Sequence, residues 1–303
     1  MRVVVPPALV GERLDRAVAM ATGVSRAQAA ELVAAGAVAV GGRPVTTGAY
    51  RLADGDVVDV EVPEAPADRG PAPDPAVPVT VVHADDHLVV VDKPPGLVVH
   101  PGAGTAAGTL VNGLLARFPE MAGVGDPDRP GIVHRLDKGT SGLLAAARTQ
   151  AAYERLVSAL AARDVERRYL ALAWGHLEAA AGLVDAPVGR SKRAPTRMSV
   201  ATTGKEARTR YRVVRRFDDP VPTTLVECRL ETGRTHQIRV HLSAIGHPVV
   251  GDPDYGGRRQ PVDAARPFLH AAHLALDHPV TGERLAFDSP LPADLVAVLE
   301  GLG

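Results

Sequence analysis

Residues 131–144 read Gly-Ile-Val-His-Arg-Leu-Asp-Lys-Gly-Thr-Ser-Gly-Leu-Leu. The pattern predicts an apolar strand that ends in a His-Arg-Leu-Asp turn, a loop of small residues from Gly139 to Gly142, and a second apolar run. A carboxylate beside an arginine on a tight loop is a way to present an ionised nucleophile, so Asp137 is a candidate catalytic residue. An aspartate that only caps a turn produces the same pattern. On composition alone, the turn-capping interpretation is the stronger one.

The segments around this stretch indicate an α+β domain. From residue 79 onward, strand-like and helix-like segments mix without a repeating strand–helix–strand order, so we expect a mixed, mostly antiparallel sheet. The predicted strands are Val79–His83, Leu88–Asp92, Arg167–Trp174, Ala207–Arg216 and Thr223–Leu230. The predicted helices are Gly108–Phe118, Gln150–Ala162 and Gln237–Ala244.

A proline-rich segment divides the chain into domains. Six of the sixteen residues from 63 to 78 are proline, which predicts a stiff, extended linker. It separates a small domain, residues 1–62, from a large one, residues 79–303. With 303 residues, of which 46% are hydrophobic, the chain is long enough for both.

The small domain is predicted to contain two helices and a hairpin. Leu14–Ala21 is helix-like, and Ser25 followed by Gln28 forms a capping box for a second helix. Gly41-Gly42 is a two-residue hairpin signal, and Val57–Val62 is a further strand. So small a fold is marginal by itself and suits an accessory domain.

The charge is balanced overall but uneven along the chain. The formal net charge is -1, yet residues 190–216 contain ten Lys or Arg residues and one acid, Glu206. Such a segment suits phosphate groups, although a solvated charged hairpin has the same composition.

Cysteine content and hydropathy indicate a cytoplasmic protein. Cys228 is the one cysteine, so a disulfide within the chain is impossible, and its alternating surroundings predict an inert strand residue. The N-terminal apolar run is too short for a signal peptide. No segment approaches the length of a membrane span, and we therefore expect no membrane partner.

Two residue groups suggest other chemistries. His236, His241 and His247 invite a metal hypothesis, but their spacings match no common zinc pattern, so we predict no metal site and a structural or partner-facing role. Asp85-Asp86 could supply the paired acids of a glycosidase. Because the pair lies between two strand-like runs, a turn is the better explanation.

Several segments resemble one known family. Residues 131–144 resemble the active-site motif of the RluA-type pseudouridine synthases. Residues 1–62 resemble the S4 RNA-binding module, and the order of motifs is most similar to the members that act on large-subunit ribosomal RNA. Gly139 departs from the family pattern, which has an acidic residue there, and this puts the loop geometry in doubt. The other matching segments are Asp-Lys-Pro-Pro-Gly-Leu-Val-Val-His-Pro-Gly-Ala-Gly at 92–104, Arg-Tyr-Leu-Ala-Leu at 168–172, Glu-Thr-Gly-Arg-Thr-His-Gln-Ile-Arg-Val-His-Leu at 231–242 and Gly-Asp-Pro-Asp-Tyr-Gly-Gly at 251–257.

The resemblance implies an enzyme that detaches uracil from ribose C1′ and rejoins it through C5, a redox-neutral isomerisation that requires no cofactor. It implies that Asp137 is the catalytic carboxylate and that Arg239 pairs with it and fixes its orientation by bidentate contact. Tyr169 would stack on the base and help to remove the C5 proton. Because the target uridine must leave its stack, Arg135 would take the place of the extruded nucleotide.

The resemblance also implies RNA contacts and a partner. Arg13, Arg16 and Arg26 in the small domain would bind phosphates, which positions RNA without reading its sequence. Arg234 in the large domain is a further candidate backbone contact, although exposed surface charge explains it as well. The partner would be large-subunit ribosomal RNA, and we expect the protein to be a monomer. Two alternatives stay open: a non-catalytic RNA-binding or ribosome-assembly factor, and a metal-dependent hydrolase. A degenerate copy should lose the Asp, the Tyr or the Arg first, and all three are present.

Overall fold

The structure, a computed structural model, divides into two compact units, Met1–Arg69 and Gly70–Gly303. Ser25, the predicted helix cap, and residues 63–69 of the predicted linker lie outside the described residues. The structure describes residues 1–24, 26–61, 70–102, 104–191, 194 and 196–303.

In the described part of the first unit, a four-stranded antiparallel sheet packs with two α-helices, and a short 3-10 helix spans Pro7–Leu9. Gly41 and Gly42, with φ angles of 58° and 79°, form the predicted two-residue hairpin, because both positions take the left-handed conformation that favours glycine. Leu14, Val33 and Val38 are fully buried in the core between helices and sheet. The elements are β1 Arg2–Val4, α1 Leu14–Thr22, α2 Arg26–Ala34, β2 Val38–Val40, β3 Arg43–Pro44 and β4 Val57–Val60, and the strand order is β1-β4-β2-β3.

The second unit is built on one large sheet. Its strands are β5 Thr80–Ala84, β6 Leu88–Lys93, β7 Ser141–Ala147, β8 Glu166–Trp174, β9 Ala181–Asp185, β10 Val188–Arg190, β11 Met198–Val200, β12 Arg208–Phe217, β13 Thr223–Leu230, β14 Leu269–Asp277 and β15 Arg284–Asp288. The sheet order is β5-β6-β7-β14-β8-β13-β12-β9, with β15 beside β14, while β10 and β11 form a separate pair. Within the described residues, β7 and β14 run parallel and the other named pairs are antiparallel. The predicted fold class is confirmed.

Helices cover both faces of this sheet. Val89 and Val91 of β6 pack in the cluster that contains helices α3 (Leu110–Arg117) and α5 (Gln237–Ala244), whereas Leu88 and Val90 pack in the cluster that contains helix α4 (Gln150–Ala162). Successive side chains of a strand point to opposite faces, so a strand buried on both faces reads as a continuous apolar run. The helices are α3 Leu110–Arg117, α4 Gln150–Ala162, α5 Gln237–Ala244 and α6 Ala293–Glu300.

The element boundaries near Asp137 differ from those predicted. Residues 131–133 do not form a strand, and only Ile132 makes an isolated bridge, to Ala146. The strand is β7, which begins at Ser141 inside the predicted small-residue loop, and all seven of its residues are buried. Small residues are suited to β7 because it lies between β6 and β14 in the middle of the sheet.

The described part of the predicted linker, residues 70–78, belongs to the second unit and packs against α3. The Asn112 side chain of α3 donates a hydrogen bond to the Ala72 carbonyl, and the Asp74 N–H donates to the Asn112 carbonyl.

Among the described residues, no helix combines the length and the apolar content that crossing a bilayer requires.

Candidate active site

Asp137 lies on a loop that is fastened on both sides. Leu136, 3% exposed, anchors the loop in the core, and the Thr140 N–H donates to the Asp137 carbonyl at 3.0 Å. The Gly96 N–H donates to the Lys138 carbonyl at 2.7 Å. The Asp137 side chain is 17% exposed, so a rigid loop presents a mostly buried carboxylate that a ligand can still reach.

Lys93, at the end of β6, supports the same loop from inside the protein. Its side chain is fully buried, and its ammonium group donates to the carbonyls of Pro94 and Leu97 at 2.8 and 2.9 Å, with that of Lys138 at 3.5 Å. Burial lowers the pKa of Lys93 to about 8, although the charge of Asp137 acts in the opposite direction. Lys93 therefore connects the strand end to the loop that carries Asp137.

Arg239 joins the first turn of α5 to Asp137. Its Nε and Nη2 donate to the two carboxylate oxygens of Asp252 at 2.6 and 2.8 Å, and Nη2 also donates to Asp254 at 2.7 Å. Its Nη1 donates to Asp137 at 3.3 Å. The predicted pairing of Arg239 with Asp137 is present, but the predicted bidentate geometry was wrong, because the fork of the guanidinium is occupied by Asp252.

The charges around Arg239 keep its guanidinium ionised. Burial opposes the charge, but the hydrogen bonds to Asp252 and Asp254 and the negative charge of Asp137 outweigh burial and raise the pKa of Arg239. Asp252 is fully buried, so Arg239 is held in place by a carboxylate that solvent does not reach.

Tyr169, in β8, lies in the same cleft as Asp137. It is 5% exposed, and burial raises the pKa of its phenol to about 12, with the charge of Asp137 acting in the same direction. On the neighbouring strand β13, Cys228 pairs with Tyr169 in register and is fully buried. Burial raises the pKa of Cys228 to about 12, so at neutral pH the thiol is protonated and unreactive.

The cleft has a volume of about 660 Å³, enough for one nucleotide unit. Asp137, Tyr169, Arg135 and Arg234 all line it. The Arg135 side chain is exposed at its edge, with Nη1 3.3 Å from His100 Nε2. The structure thus brings together the predicted catalytic carboxylate, the tyrosine and two of the predicted RNA-binding arginines.

The other three predicted RNA contacts lie in the first unit. Arg13 donates two hydrogen bonds to Asp15, at 3.1 and 2.7 Å, and Arg26 lies 3.8 Å from the same carboxylate. Arg16 pairs with Glu12 one helical turn away and keeps 57% of its side chain exposed. Arg16 and Arg26 are therefore more accessible to RNA than Arg13, which is 38% exposed.

The basic segment from residue 190 to 216 is largely paired where it forms β12. Arg208 and Arg210 both form ion pairs with Glu231, and Arg212 pairs with Glu227. Lys192 and Arg193 lie outside the described residues. Ion pairs therefore neutralise part of the positive charge of this segment, which agrees with the interpretation as a charged hairpin for the residues of β12.

The three histidines have separate partners. His241 is buried between the Thr209 hydroxyl and the Ala186 carbonyl, and His247 lies 2.8 Å from the Trp174 carbonyl. His236 lies near the site, with Nε2 3.9 Å from Asp137. Among the residues that the structure describes, no group of three or more His, Cys, Asp or Glu side chains could hold a metal ion.

The Asp85 side chain has the geometry of a turn. It accepts the N–H groups of His87 and Leu88 at 2.8 Å each. Burial opposes the charge of Asp85, but these N–H groups and the neighbouring histidines lower its pKa to about 2. Its position in the chain and its bonding both agree with the turn predicted there.

Sequence reasoning missed several residues of the site. Asp252 and Asp254 lie within a motif that was recognised, but nothing in their spacing indicated that they hold Arg239. Lys93 also lies within a recognised motif. Because it follows an apolar strand, the sequence could have indicated a buried lysine whose ammonium group is hydrogen-bonded. Arg167 lines the cleft without a predicted role.

Comparisons with known proteins follow the same division of the chain. A family profile described as RNA pseudouridylate synthase matches residues 87–244, and one described as S4 domain matches residues 12–58.

Curated relatives and solved structures resemble most of the chain. The chain is 43% identical over 305 residues to ribosomal large subunit pseudouridine synthase D of Vibrio parahaemolyticus. The aligned region covers 96% of this chain and 91% of that protein. It is 44% identical over 293 residues to the uncharacterized RNA pseudouridine synthase YlyB of Bacillus subtilis, covering 96% and 94%. The solved structure of human RNA pseudouridylate synthase domain containing 1 matches with a TM-score of 0.56 and 31% identity, covering 73% of this chain and 86% of that one.

Proposed function

Because the chain belongs to the RNA pseudouridylate synthase family, whose members isomerise uridine to pseudouridine, we propose that it modifies large-subunit ribosomal RNA with Asp137 as its catalytic carboxylate. Relatives from Vibrio parahaemolyticus and Vibrio cholerae are named ribosomal large subunit pseudouridine synthase D, which supports a ribosomal target. The observation that carries the catalytic assignment is the contact between Asp137 and the anchored Arg239 beside the cleft.

The reaction needs few groups. The bond between uracil N1 and ribose C1′ breaks, a bond between C5 and C1′ forms, the proton leaves C5, and N1 gains a proton. Electrons balance within the substrate. Asp137 promotes cleavage of the glycosidic bond, as a nucleophile or as a fixed negative charge, and Arg239 holds the carboxylate in one orientation.

Tyr169 stacks on the extruded uracil in this proposal. Since its pKa is about 12, the phenol is protonated at neutral pH in the free enzyme and is a poor acceptor for the C5 proton. The buried ring beside Asp137 instead provides a flat surface on which a base is held by stacking.

The RNA outside the cleft is bound by charge. Arg135 fills the space that the extruded nucleotide leaves, since a guanidinium both stacks and binds phosphate. Arg234 and the first unit's Arg13, Arg16 and Arg26 contact the backbone, with Arg16 and Arg26 the more accessible of the last three. We propose that the protein acts as a monomer in the cytoplasm, which a sedimentation measurement and cell fractionation would test.

The experiment is a tritium-release assay. Purified protein, without added metal or cofactor, is incubated with unmodified large-subunit ribosomal RNA that carries tritium at uridine C5. Wild type should release tritium and Asp137→Asn should not, and carbodiimide-blocked primer extension should map the product sites.

Asp86→Asn is the matched control. Asp86 is exposed and does not line the cleft, so this variant should retain wild-type turnover. Release by Asp137→Asn would overturn the assignment of Asp137. No release by wild type on naked RNA or on assembly intermediates, with RNA binding intact, would favour the non-catalytic RNA-binding factor.

A further inference from the structure

Arg167 occupies an unusual position for an arginine. It lies in β8 two residues before Tyr169, so both side chains leave the same face of the strand and both line the cleft. The residue is only 6% exposed. A positive charge therefore lies at the wall of the cleft, beside the tyrosine proposed to hold the base.

Across the part of the chain that the structure describes, Arg167 forms no ion pair and no hydrogen bond, and its Nε is buried without any partner. The carboxylates that line the same cleft are already engaged. Asp137 accepts from Arg239 at 3.3 Å, Glu206 binds Arg163 at 2.7 Å, and Glu231 binds Arg210 at 2.6 Å and Arg208 at 3.2 Å. Burial lowers the pKa of Arg167 from its ordinary value.

The surroundings leave the guanidinium room, and none of the described carboxylates pairs with it. A Cβ added at Gly233 would lie 2.9 Å from Arg167 Nη1, so glycine at this position keeps the loop clear of the guanidinium. The half-buried His134 stays neutral, because burial and the charge of Arg167 lower its pKa to about 3. A buried charge without a counter-ion is costly, and a site that keeps one is prepared for an anionic ligand.

We propose that Arg167 binds a phosphodiester group that flanks the target nucleotide when that nucleotide enters the cleft. The proposal rests on the proposed function, because it requires an extruded nucleotide. Phosphate fits better than uracil, since the base is neutral and would leave the charge unpaired. A guanidinium donates two parallel hydrogen bonds to phosphate oxygens, which would also fix the position of the ribose relative to Asp137.

The test is a double-mutant cycle between protein and RNA. Wild type and Arg167→Met are each titrated with a stem-loop RNA that contains a mapped target uridine. The phosphodiester on its 5′ or its 3′ side is replaced by an uncharged methylphosphonate, and the matched RNA has the ordinary linkage with the same sugars. At one of the two linkages, the replacement should raise the wild-type Kd about tenfold or more and leave the Kd of Arg167→Met nearly unchanged.

Two further measurements separate binding from folding. Arg167→Met should have a Tm at or above that of wild type, because methionine removes an unpaired buried charge, whereas a structural arginine would lose stability on replacement. Arg167→Lys keeps the positive charge but lacks the two parallel N–H donors of a guanidinium. It should therefore bind the RNA more tightly than Arg167→Met and more weakly than wild type.

The outcomes distinguish this inference from the function it rests on. Wild-type turnover with no coupling at either linkage, or a lower Tm for Arg167→Met, would overturn the phosphate assignment alone. Equal losses on both RNAs for Arg167→Met would point to a contact with the base instead. A wild type that turns over no RNA would overturn the proposed function and this inference with it.

Discussion

Arg239 holds Asp252 with two hydrogen bonds, of 2.6 and 2.8 Å, and reaches Asp137 with one, of 3.3 Å. The buried carboxylate, and not the one that faces the cleft, therefore sets the position of the guanidinium. Asp252 is a positioning residue in this arrangement: it acts on Asp137 through Arg239.

Replacing Asp252 should lower turnover more than RNA binding. Asp252→Asn removes the negative charge that anchors Arg239, so kcat in the tritium-release assay should fall by about 10²-fold while KM changes little. Asp254→Asn is the matched control, because Asp254 is 38% exposed and accepts one hydrogen bond from Arg239. Equal effects of the two substitutions would contradict the positioning role, and a thermal melt checks that both variants fold.

Tyr169 should tolerate phenylalanine but not alanine. Phenylalanine keeps the stacking surface and loses only the hydroxyl, so Tyr169→Phe should retain kcat/KM within about tenfold of wild type. Tyr169→Ala should lose about 1–3 kcal/mol of stacking, measured as kcat/KM on the same RNA. If the phenylalanine variant is as inactive as the alanine variant, the hydroxyl takes part in proton transfer and the stacking role is wrong.

Lys93 should make stability rise with pH in alkaline solution. The pKa of Lys93 is about 8 in the folded protein against an ordinary value of 10.5. Between these values the unfolded chain holds a proton that the folded chain has released, so the free energy of unfolding rises with pH, by at most about 1.4 kcal/mol per pH unit. Below pH 8, Lys93 is protonated in both the folded and the unfolded state, so its unfavourable contribution to the free energy of unfolding does not change with pH.

Urea denaturation of wild type and Lys93→Met at pH 7, 8.5 and 10 measures this effect. The difference in unfolding free energy should shift in favour of wild type as the pH rises. Parallel pH profiles for the two proteins would show that Lys93 keeps its ordinary pKa.

The arginines of the first unit should divide into two kinds. Arg16→Ala removes an exposed charge, so the slope of log Kd for RNA against log salt concentration should fall by about 1. Arg13→Ala should mainly lower the thermal stability of the chain, because it leaves the 6% exposed Asp15 side chain with Arg26, at 3.8 Å, as its other ion-pair partner among the described residues. An unchanged salt slope for Arg16→Ala would exclude it as a phosphate contact.

Local patterns predicted part of the regular structure, but β9, β10, β11, β14, β15 and α6 have no counterpart in the sequence prediction. The bounds of α4, α5 and β13 agree with the sequence prediction, because each has a clear period and a clear end. The strand β7 was misplaced, since Ser141-Gly142 reads as a loop and becomes a strand only when β6 and β14 pair on either side of it. Sheet neighbours that are distant in the chain are not encoded in a local pattern.

The sequence by itself determined the family, because its motifs have residue sequences that are specific to that family. The family in turn indicated Asp137, Tyr169 and Arg239 as candidate catalytic residues. Only the tertiary structure decided how these side chains are held. Arg239 is anchored by Asp252, Lys93 is buried under the Asp137 loop, and Arg167 has no counter-ion among the residues that the structure describes, because hydrogen bonds and burial depend on three-dimensional neighbours. The residue type determines which chemistry a side chain is capable of. Its neighbours in space determine its charge, its orientation and its partner.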